Sequence, residues 1–348
     1  MKKSLWKQIN KIEADYKEYS LEELETLSKN DSNSMYALAL RYCKNDDMKK
    51  GEECYEKSAT MGNICAKYIV ASKKLLSRNV QNEQNEGLLE LEELANQNFV
   101  EAYLSLCSYY CNTPIFRDCD ADETAYFHSQ MFRVASKGYN IGIKECAYYL
   151  AICYLYGYGT AENYEKYAEL ILPAARGGDA NAMNCAMKNL YYGLCYKVFS
   201  KNINYSRTVI ECDYEKAISY AKKLLKDSTY KSNAHYILGN CYFYGKGCEI
   251  DYKKAIANFK KCEDKNLNAK LQIAMCYANG LGVKKNETKA KDIFASVLNN
   301  FKINSLDREI PEQVDAWRNK ASELGFEDAN KISMDWIESY DAVHGKNS

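Results

Sequence analysis

Three stretches of this chain repeat one phrase, and that repetition restricts the fold more than any other feature. Residues 146–159 read CAYYLAICYLYGYG, residues 234–247 read AHYILGNCYFYGKG, and residues 269–282 read AKLQIAMCYANGLG. Each copy opens on a small anchor residue, has an apolar residue four positions later, a small residue at five and tyrosine at eight, and closes on Gly-x-Gly. In the first copy these are Cys146, Leu150, Ala151, Tyr154, Gly157 and Gly159. In the second they are Ala234, Leu238, Gly239, Tyr242, Gly245 and Gly247, and in the third Ala269, Ile273, Ala274, Tyr277, Gly280 and Gly282. Weaker copies extend the series to anchors at Ser34, Ala66, Ala102, Cys146, Ala182, Ala234 and Ala269, spaced by 32, 36, 44, 36, 52 and 35 residues. A period in the mid-thirties marks a solenoid built from helix pairs. The expected fold class is therefore all-α: an α/α superhelix of tandem helix-turn-helix repeats.

Within a unit the spacing puts anchor, apolar residue and tyrosine on one face of the first helix, as in Ala102, Leu106, Cys107 and Tyr110. The small residues let a neighbouring helix approach closely, while Leu and Tyr fill the gap, each contributing about 1.5–3 kcal/mol when buried. A second phrase follows the glycines: NYEKYAELILPAARG at 163–177, DYEKAISYAKKL at 213–224 and DYKKAIANFKKC at 251–262. Asn163, Asp213 and Asp251 stand where a helix N-cap is wanted. The lysines behind them are expected to form a solvated face. Gly62, Gly138 and Gly177 are expected to end second helices in a left-handed C-cap conformation. Between the two phrases, Gly-x-Gly reads as a bend and not as a phosphate loop. A dinucleotide fingerprint needs a third glycine and a preceding strand, and no G-x-x-x-x-G-K-[ST] string occurs in the chain.

Composition narrows the function classes further. With 348 residues, 47% apolar side chains and 3 prolines, the chain is expected to fold, and to fold into helices. The N-terminal stretch MKKSLWKQINKIEADYKEYS has no apolar run of a secretory signal, and no segment reaches the roughly 18–20 uninterrupted apolar residues of a membrane span. A soluble, cytoplasmic protein is the expectation. The 15 cysteines are scattered over predicted helix faces without a single C-x-x-C, and the three histidines, His128, His235 and His344, lie far apart. Neither a zinc site nor a disulfide framework is indicated. Cys107, Cys153, Cys241 and Cys276 read as small buried hydrophobes. No paired-carboxylate, Ser/His/Asp or Cys/His arrangement stands at a motif spacing, so no catalytic residue, metal or cofactor is expected.

These repeats resemble the Sel1-like repeat family, a branch of the tetratricopeptide superfamily. The resemblance rests on Ala234, Leu238, Gly239, Tyr242, Gly245, Gly247, Asp251, Lys254, Ala255 and Phe259 in one unit. It continues in Ala269, Tyr277, Gly280, Gly282, Val283, Lys289 and Ala290, and in Trp317, Lys320, Ala321, Gly325 and Ala329 of a further second-helix phrase. It covers most of residues 33–330, more closely from 143 onward. The resemblance implies a curved superhelix acting as a non-catalytic adaptor or scaffold. Some members pair repeat cysteines in disulfides after export, but the regular pairing that requires is absent here. The implied organisation is N-terminal capping helices over 1–32, degenerate helical repeats over 33–142, Sel1-like repeats over 143–300, and a last repeat helix with a C-terminal capping helix over 301–348. Apolar stripes at Leu5, Ile9, Ile12 and Tyr16, and at Ile332, Trp336 and Tyr340, suit such caps.

Function is expected on the concave face lined by first helices, with a protein or peptide as partner. By analogy with related helical-pair repeats, exposed inner residues lie one before the anchor and two, six and nine after it. This selects Asn181, Asn184, Lys188 and Tyr191; Asn233, Tyr236, Asn240 and Phe243; and Asn268, Leu271, Met275 and Ala278. Asparagine amides both donate to and accept from an extended peptide, and Lys188 meets a carboxylate. An alternative is a dedicated inhibitor or immunity-type protein that wraps one partner, with insertions 112–121 and 195–212 as contacts. Charge is uneven: residues 11–130 hold 13 Lys/Arg against 22 Asp/Glu, a net of −9, and residues 201–300 hold 18 against 10, a net of +8. The basic part, with Tyr230, Tyr236, Tyr242, Phe243 and Tyr244 among its lysines, makes nucleic acid a second alternative, against which stand the scarcity of arginine and an overall charge of zero.

Overall fold

The structure, a computed structural model, describes residues 5–77, 81–117, 119–199, 204–262, 264, 266–299 and 311–326. The chain divides into two compact units, Met1–Leu170 and Ile171–Ser348. The first begins with α1 (Leu5–Asp15) and α2 (Leu21–Leu27) and continues in pairs: α3 (Ser32–Lys44) with α4 (Met48–Thr60), α5 (Ile64–Leu75) with α6 (Gln81–Asn96), and α7 (Val100–Arg117) with α8 (Ala121–Asn140). Next come α9 (Cys146–Tyr156) and α10 (Tyr164–Arg176), inside which the unit boundary falls. The second unit holds α11 (Ala180–Tyr192), a hairpin of β1 (Leu194–Phe199) and β2 (Asn204–Ile210), and α12 (Tyr214–Leu224). It goes on through α13 (Lys231–Tyr244) with α14 (Tyr252–Phe259), α15 (Leu267–Asn279) with α16 (Glu287–Asn299), and α17 (Pro311–Glu323). In each unit the two helices of a pair pack on each other and the second packs on the first helix of the next pair, the arrangement of a solenoid.

The core is formed by the repeat positions. The anchors Ser34, Ala66, Ala102, Cys146, Ala182, Ala234 and Ala269 are all buried without measurable exposure. Tyr110 and Tyr277 of the repeat tyrosines are buried as well, and Cys107, Cys153, Cys241 and Cys276 have no exposed surface. Second helices start where the N-cap residues stand: Asn163, Asp213 and Asp251 accept from the backbone N–H of Lys166, Lys216 and Lys254 at 2.8, 3.0 and 2.9 Å. The backbone N–H of the cap residue in turn donates to the carbonyl of the residue eight after the anchor. This bond joins Asn163 to Tyr154 at 2.8 Å, Asp213 to Leu190 at 2.8 Å, Asp251 to Tyr242 at 2.9 Å and Asn286 to Tyr277 at 2.9 Å. It pins both ends of these four bends.

The bends need both glycines, for different reasons. The first ends the helix in the left-handed region, with φ 70 at Gly157, 67 at Gly245 and 72 at Gly280. The second is also left-handed and lies against the backbone of an earlier second helix. A Cβ on Gly159 would stand 2.7 Å from the Ser129 Cα, on Gly247 2.9 Å from the Tyr214 carbonyl carbon, and on Gly282 2.3 Å from the Tyr252 carbonyl oxygen. The side chain between the glycines plugs into the preceding pair. Tyr158 stacks on His128 with centroids 3.6 Å apart. Lys246 Nζ lies 4.7 Å from the Tyr191 ring centroid and 5.2 Å from that of Tyr214. Leu281 packs on the cluster that holds Tyr236, Phe259 and Ala290.

Three expectations are corrected. Gly138 lies inside α8 and caps nothing; its missing Cβ leaves room for Cys146 Sγ, 2.5 Å from where that carbon would be, and for the Tyr103 ring. After α10 it is Gly178, with φ 95, that takes the left-handed conformation, and not Gly177. The stretch 112–121 is mostly not an insertion between helices, because α7 continues to Arg117 and α8 begins at Ala121. The insertion at 195–212 stands between α11 and α12 as expected and carries the antiparallel pair β1 and β2, in a register from Leu194↔Ile210 to Phe199↔Asn204. The stripe at Ile332, Trp336 and Tyr340, Ala329 and His344 lie outside the described residues.

Candidate functional site

The face predicted to bind is carried by α11, α13 and α15, and side-chain hydrogen bonds run across it from one first helix to the next. Tyr230 donates its hydroxyl to Asn181 Oδ1, and Asn233 Nδ2 donates to Asn184 Oδ1 at 3.1 Å. From α15, Gln272 Nε2 donates to the Tyr244 hydroxyl at 2.9 Å. The first unit has the same device, with Asn63 Nδ2 donating to Asn33 Oδ1 at 2.9 Å and Tyr68 bonded to Ser105 at 2.9 Å. One to three side-chain atoms of each of these first helices are thus held against a neighbour, at about 1 kcal/mol per bond.

The predicted positions separate into two groups. Asn181, Asn184, Lys188, Asn233, Phe243 and Met275 are half-buried and keep surface on the outside of the unit. Tyr191, Tyr236, Asn240 and Asn268 are buried, as are Leu271 and Ala278, so these side chains do not present themselves to solvent as the spacing led one to expect. Tyr236 and Ala278 pack into the cluster that holds Phe259, Cys262 and Ala290, and Leu271 into the one that holds Phe294, Trp317 and Ala321, so these positions are covered by second helices and not open to solvent. Asn240 stands out because it is 0% exposed and neither its Oδ1 nor its Nδ2 has a hydrogen-bond partner among the described residues. An orphaned buried amide costs about 1–3 kcal/mol.

Cation–aromatic contacts are the feature that sequence reasoning missed. Lys166 Nζ lies 4.9 Å from the Tyr154 centroid, Lys254 Nζ 5.5 Å from Tyr242 and Lys289 Nζ 4.4 Å from Tyr277. Each lysine follows its tyrosine by twelve residues, a recurrence that was there to be counted, so these lysines are not simply a solvated face. Each contact adds about 0.5–1 kcal/mol at such half-exposed sites. Hydrogen bonding from Lys289 and then Lys260 holds the Tyr277 phenol below its ordinary pKa. Lys246 is ringed by three tyrosines, with Tyr244 at 6.0 Å completing the set. Burial lowers the pKa of His235, against the opposing effect of its bond to Asn258. No group of three or more His, Cys, Asp or Glu side chains that would hold a metal occurs among the described residues, and no helix there is long and apolar enough to cross a membrane.

Stacked helix pairs joined by left-handed Gly-x-Gly bends define an α/α solenoid repeat protein. Which solenoid follows from the repeat itself: residues 32–63, 144–179, 232–262 and 268–295 match the model of the Sel1 repeat, so the chain carries Sel1 repeats at these four positions. The match at 32–63 lies in the stretch that reads as degenerate from spacing alone. Among solved structures the chain is similar to a protective antigen of uropathogenic Escherichia coli strains that displays an SLR fold. There the TM-score is 0.62 at 15% identity, over 92% of this chain and 68% of that one. It is also similar to a Sel1 repeat protein from Oxalobacter formigenes, with a TM-score of 0.51 at 17% identity, over 97% of this chain and 85% of that one. At these identities the likeness is one of fold. The comparison with curated proteins finds no match. Sel1 repeat proteins generally mediate protein–protein interaction and act as non-catalytic scaffolds.

Proposed function

We propose that this chain is a non-catalytic scaffold or adaptor that takes a peptide or a partner loop on the first-helix face of α11, α13 and α15. The observation that carries the reading is the lateral bond from Asn233 to Asn184, reinforced by that from Tyr230 to Asn181. These bonds fix α11 and α13 in register, and the bond from Gln272 to Tyr244 does the same for α13 and α15, so Lys188, Phe243 and Met275 stand on helices whose register is set before a partner arrives. A pre-ordered face loses less conformational entropy on binding. Against the nucleic-acid reading, Tyr236 is buried, the hydroxyls of Tyr230 and Tyr244 are engaged by Asn181 and Gln272, and Tyr242 lies under Lys254, which reduces the aromatic surface of that group to Phe243 and the Tyr244 ring. Cysteines distributed as thiols over helix faces suit a reducing compartment, so we read the protein as cytoplasmic.

A wrapping or immunity-type contact has one observation in its favour: the hairpin interrupts only one repeat among the described residues, and its Ser206, Arg207 and Thr208 are exposed. A photo-crosslinking amino acid separates the two readings. Placed at Lys188 or Met275 in the producing cell, it is expected to trap one protein that the same probe at Ser206, or at Lys261, exposed just past the end of α14, does not. Trapping from Ser206 alone overturns the first-helix reading and leaves the hairpin as the contact.

A further inference from the structure

The three Gly-x-Gly bends share a backbone but differ in chemistry at two positions that the backbone brings together. Ten residues after the anchor stand Tyr156, Tyr244 and Asn279, and sixteen after it stand Glu162, Ile250 and Lys285. The later residue folds back over the first glycine in every copy. A Cβ on Gly157 would meet Glu162 Cγ at 3.3 Å, one on Gly245 would meet Ile250 Cγ1 at 2.9 Å, and one on Gly280 would meet Lys285 Cβ at 3.3 Å. That glycine directly follows the residue at ten, so the two side chains flank one bend. The second copy shows what the ring at ten accepts. Lys246, standing between the glycines, brings its Nζ to 6.0 Å from the Tyr244 centroid and closer still to Tyr191 and Tyr214. In the first copy the residue between the glycines is Tyr158, so the bend delivers no cation of its own. Tyr158 joins Tyr156 to His128 in a run of stacked rings, with centroids 5.4 and 3.6 Å apart. Tyr156 ends the run and is 53% exposed.

We propose that the bend between α9 and α10 is a binding site for an arginine side chain of a partner protein, its guanidinium stacked on Tyr156 and donating to the Glu162 carboxylate. Glu162 is exposed, and its Oε2 accepts from the Tyr164 hydroxyl at 2.9 Å; no lysine or arginine pairs with it among the described residues. The third copy differs, since Lys285 there pairs with Glu287 at 2.7 Å. The nearest lysine along the chain, Lys166, lies over Tyr154. A carboxylate retains acceptor capacity beyond one hydroxyl. The face of a tyrosine ring attracts cations, and arginine fits best because its planar, weakly hydrated guanidinium stacks and donates at once. The net charge of −9 over residues 11–130 draws a basic segment toward the unit that carries this bend. The site is separate from the first-helix face of α11, α13 and α15 and stands whether or not that face binds.

The test is an NMR titration of the full chain with its tyrosine rings carbon-13 labelled, using acetyl-arginine N-methylamide as the probe. The Tyr156 signal is assigned by its loss in Tyr156→Phe, which keeps the ring. The arginine probe is expected to shift this signal saturably, with a midpoint on the order of 10 mM, as two weak contacts allow. Glu162→Gln is expected to raise that midpoint about threefold. Acetyl-glutamine N-methylamide, of similar length but uncharged, and tetramethylammonium, charged but unable to donate, serve as comparisons. A Tyr156 signal that moves no further with arginine than with the glutamine compound overturns the site. Tetramethylammonium acting at the same concentration as arginine overturns the assignment to arginine, as does an unchanged midpoint in Glu162→Gln. The comparison of probes in the wild type decides even if Glu162→Gln fails to fold.

Discussion

Gly282→Ala isolates what holds consecutive repeats together. The substitution asks an alanine to take φ 70, and it places the new Cβ 2.3 Å from the Tyr252 carbonyl oxygen, 2.4 Å from its carbon and 2.8 Å from the Lys253 nitrogen. The left-handed conformation costs about 1–2 kcal/mol. The clash is with backbone at the start of α14, which no rotamer change relieves, so the bend must move off that helix, adding about 1–3 kcal/mol. Loss of glycine's freedom in the unfolded chain returns about 0.4–1 kcal/mol. The net loss comes to about 2–4 kcal/mol. Gly280→Ala is the matched control, because it has the same kind of φ, 72, but its Cβ would meet nothing closer than the Lys285 Cβ at 3.3 Å. It keeps only the conformational penalty and is expected to cost about 0.5–1.5 kcal/mol. Urea unfolding followed by far-UV circular dichroism, with unchanged slope and a lower midpoint, measures both. Equal losses in the two variants would refute the claim that the second glycine is demanded by backbone contact.

Two further outcomes are expected. Asn240→Leu removes an amide with no partner among the described residues and keeps the branched outline of four side-chain heavy atoms, so stability should be unchanged or raised by up to about 2 kcal/mol; a loss of more than about 1 kcal/mol, in the same urea assay, would count against an orphaned amide. His128, stacked on Tyr158, is held below its ordinary pKa of 6.5 by burial, so the unfolded chain takes up the proton first. Its contribution is complete above pH 6.5 and is lost as pH falls from there toward the folded value; melting temperatures between pH 8 and 5 should decline less for His128→Phe than for the wild type, and parallel curves would count against the shift.

Helix pairing was legible because it is written in positions that cannot vary independently: the anchor, the apolar residue and the tyrosine share a helical face, and the glycines stand where the backbone turns left-handed. N-caps were legible for the same local reason. What escaped depends on neighbours from other elements. The lysine over each tyrosine joins two helices of a pair, and a reading of the second helix alone sees only an exposed charge. Asn240 and Asn268 were assigned to an open face by counting from Ala234 and Ala269, but how closely α11, α13 and α15 approach is not contained in the period. The hairpin at 194–210 was visible as an excess of residues; its strands, pairing only with each other, left no repeat to compare with.

The bond from the cap residue's N–H to the carbonyl eight positions after the anchor has one more consequence. At Tyr154, Tyr242 and Tyr277 it closes over a gap of eight residues, and at Leu190 it closes, at the same length, over twenty-two. The clasp is indifferent to what it encloses, so each bend is a socket into which a module can be set without disturbing the stack. A chain of such repeats is therefore a rack with interchangeable fittings: the hairpin can be cut out at Leu194 and Cys212 and a short bend put in its place, or moved to the socket at Tyr242, with the helix pairs on either side keeping their register.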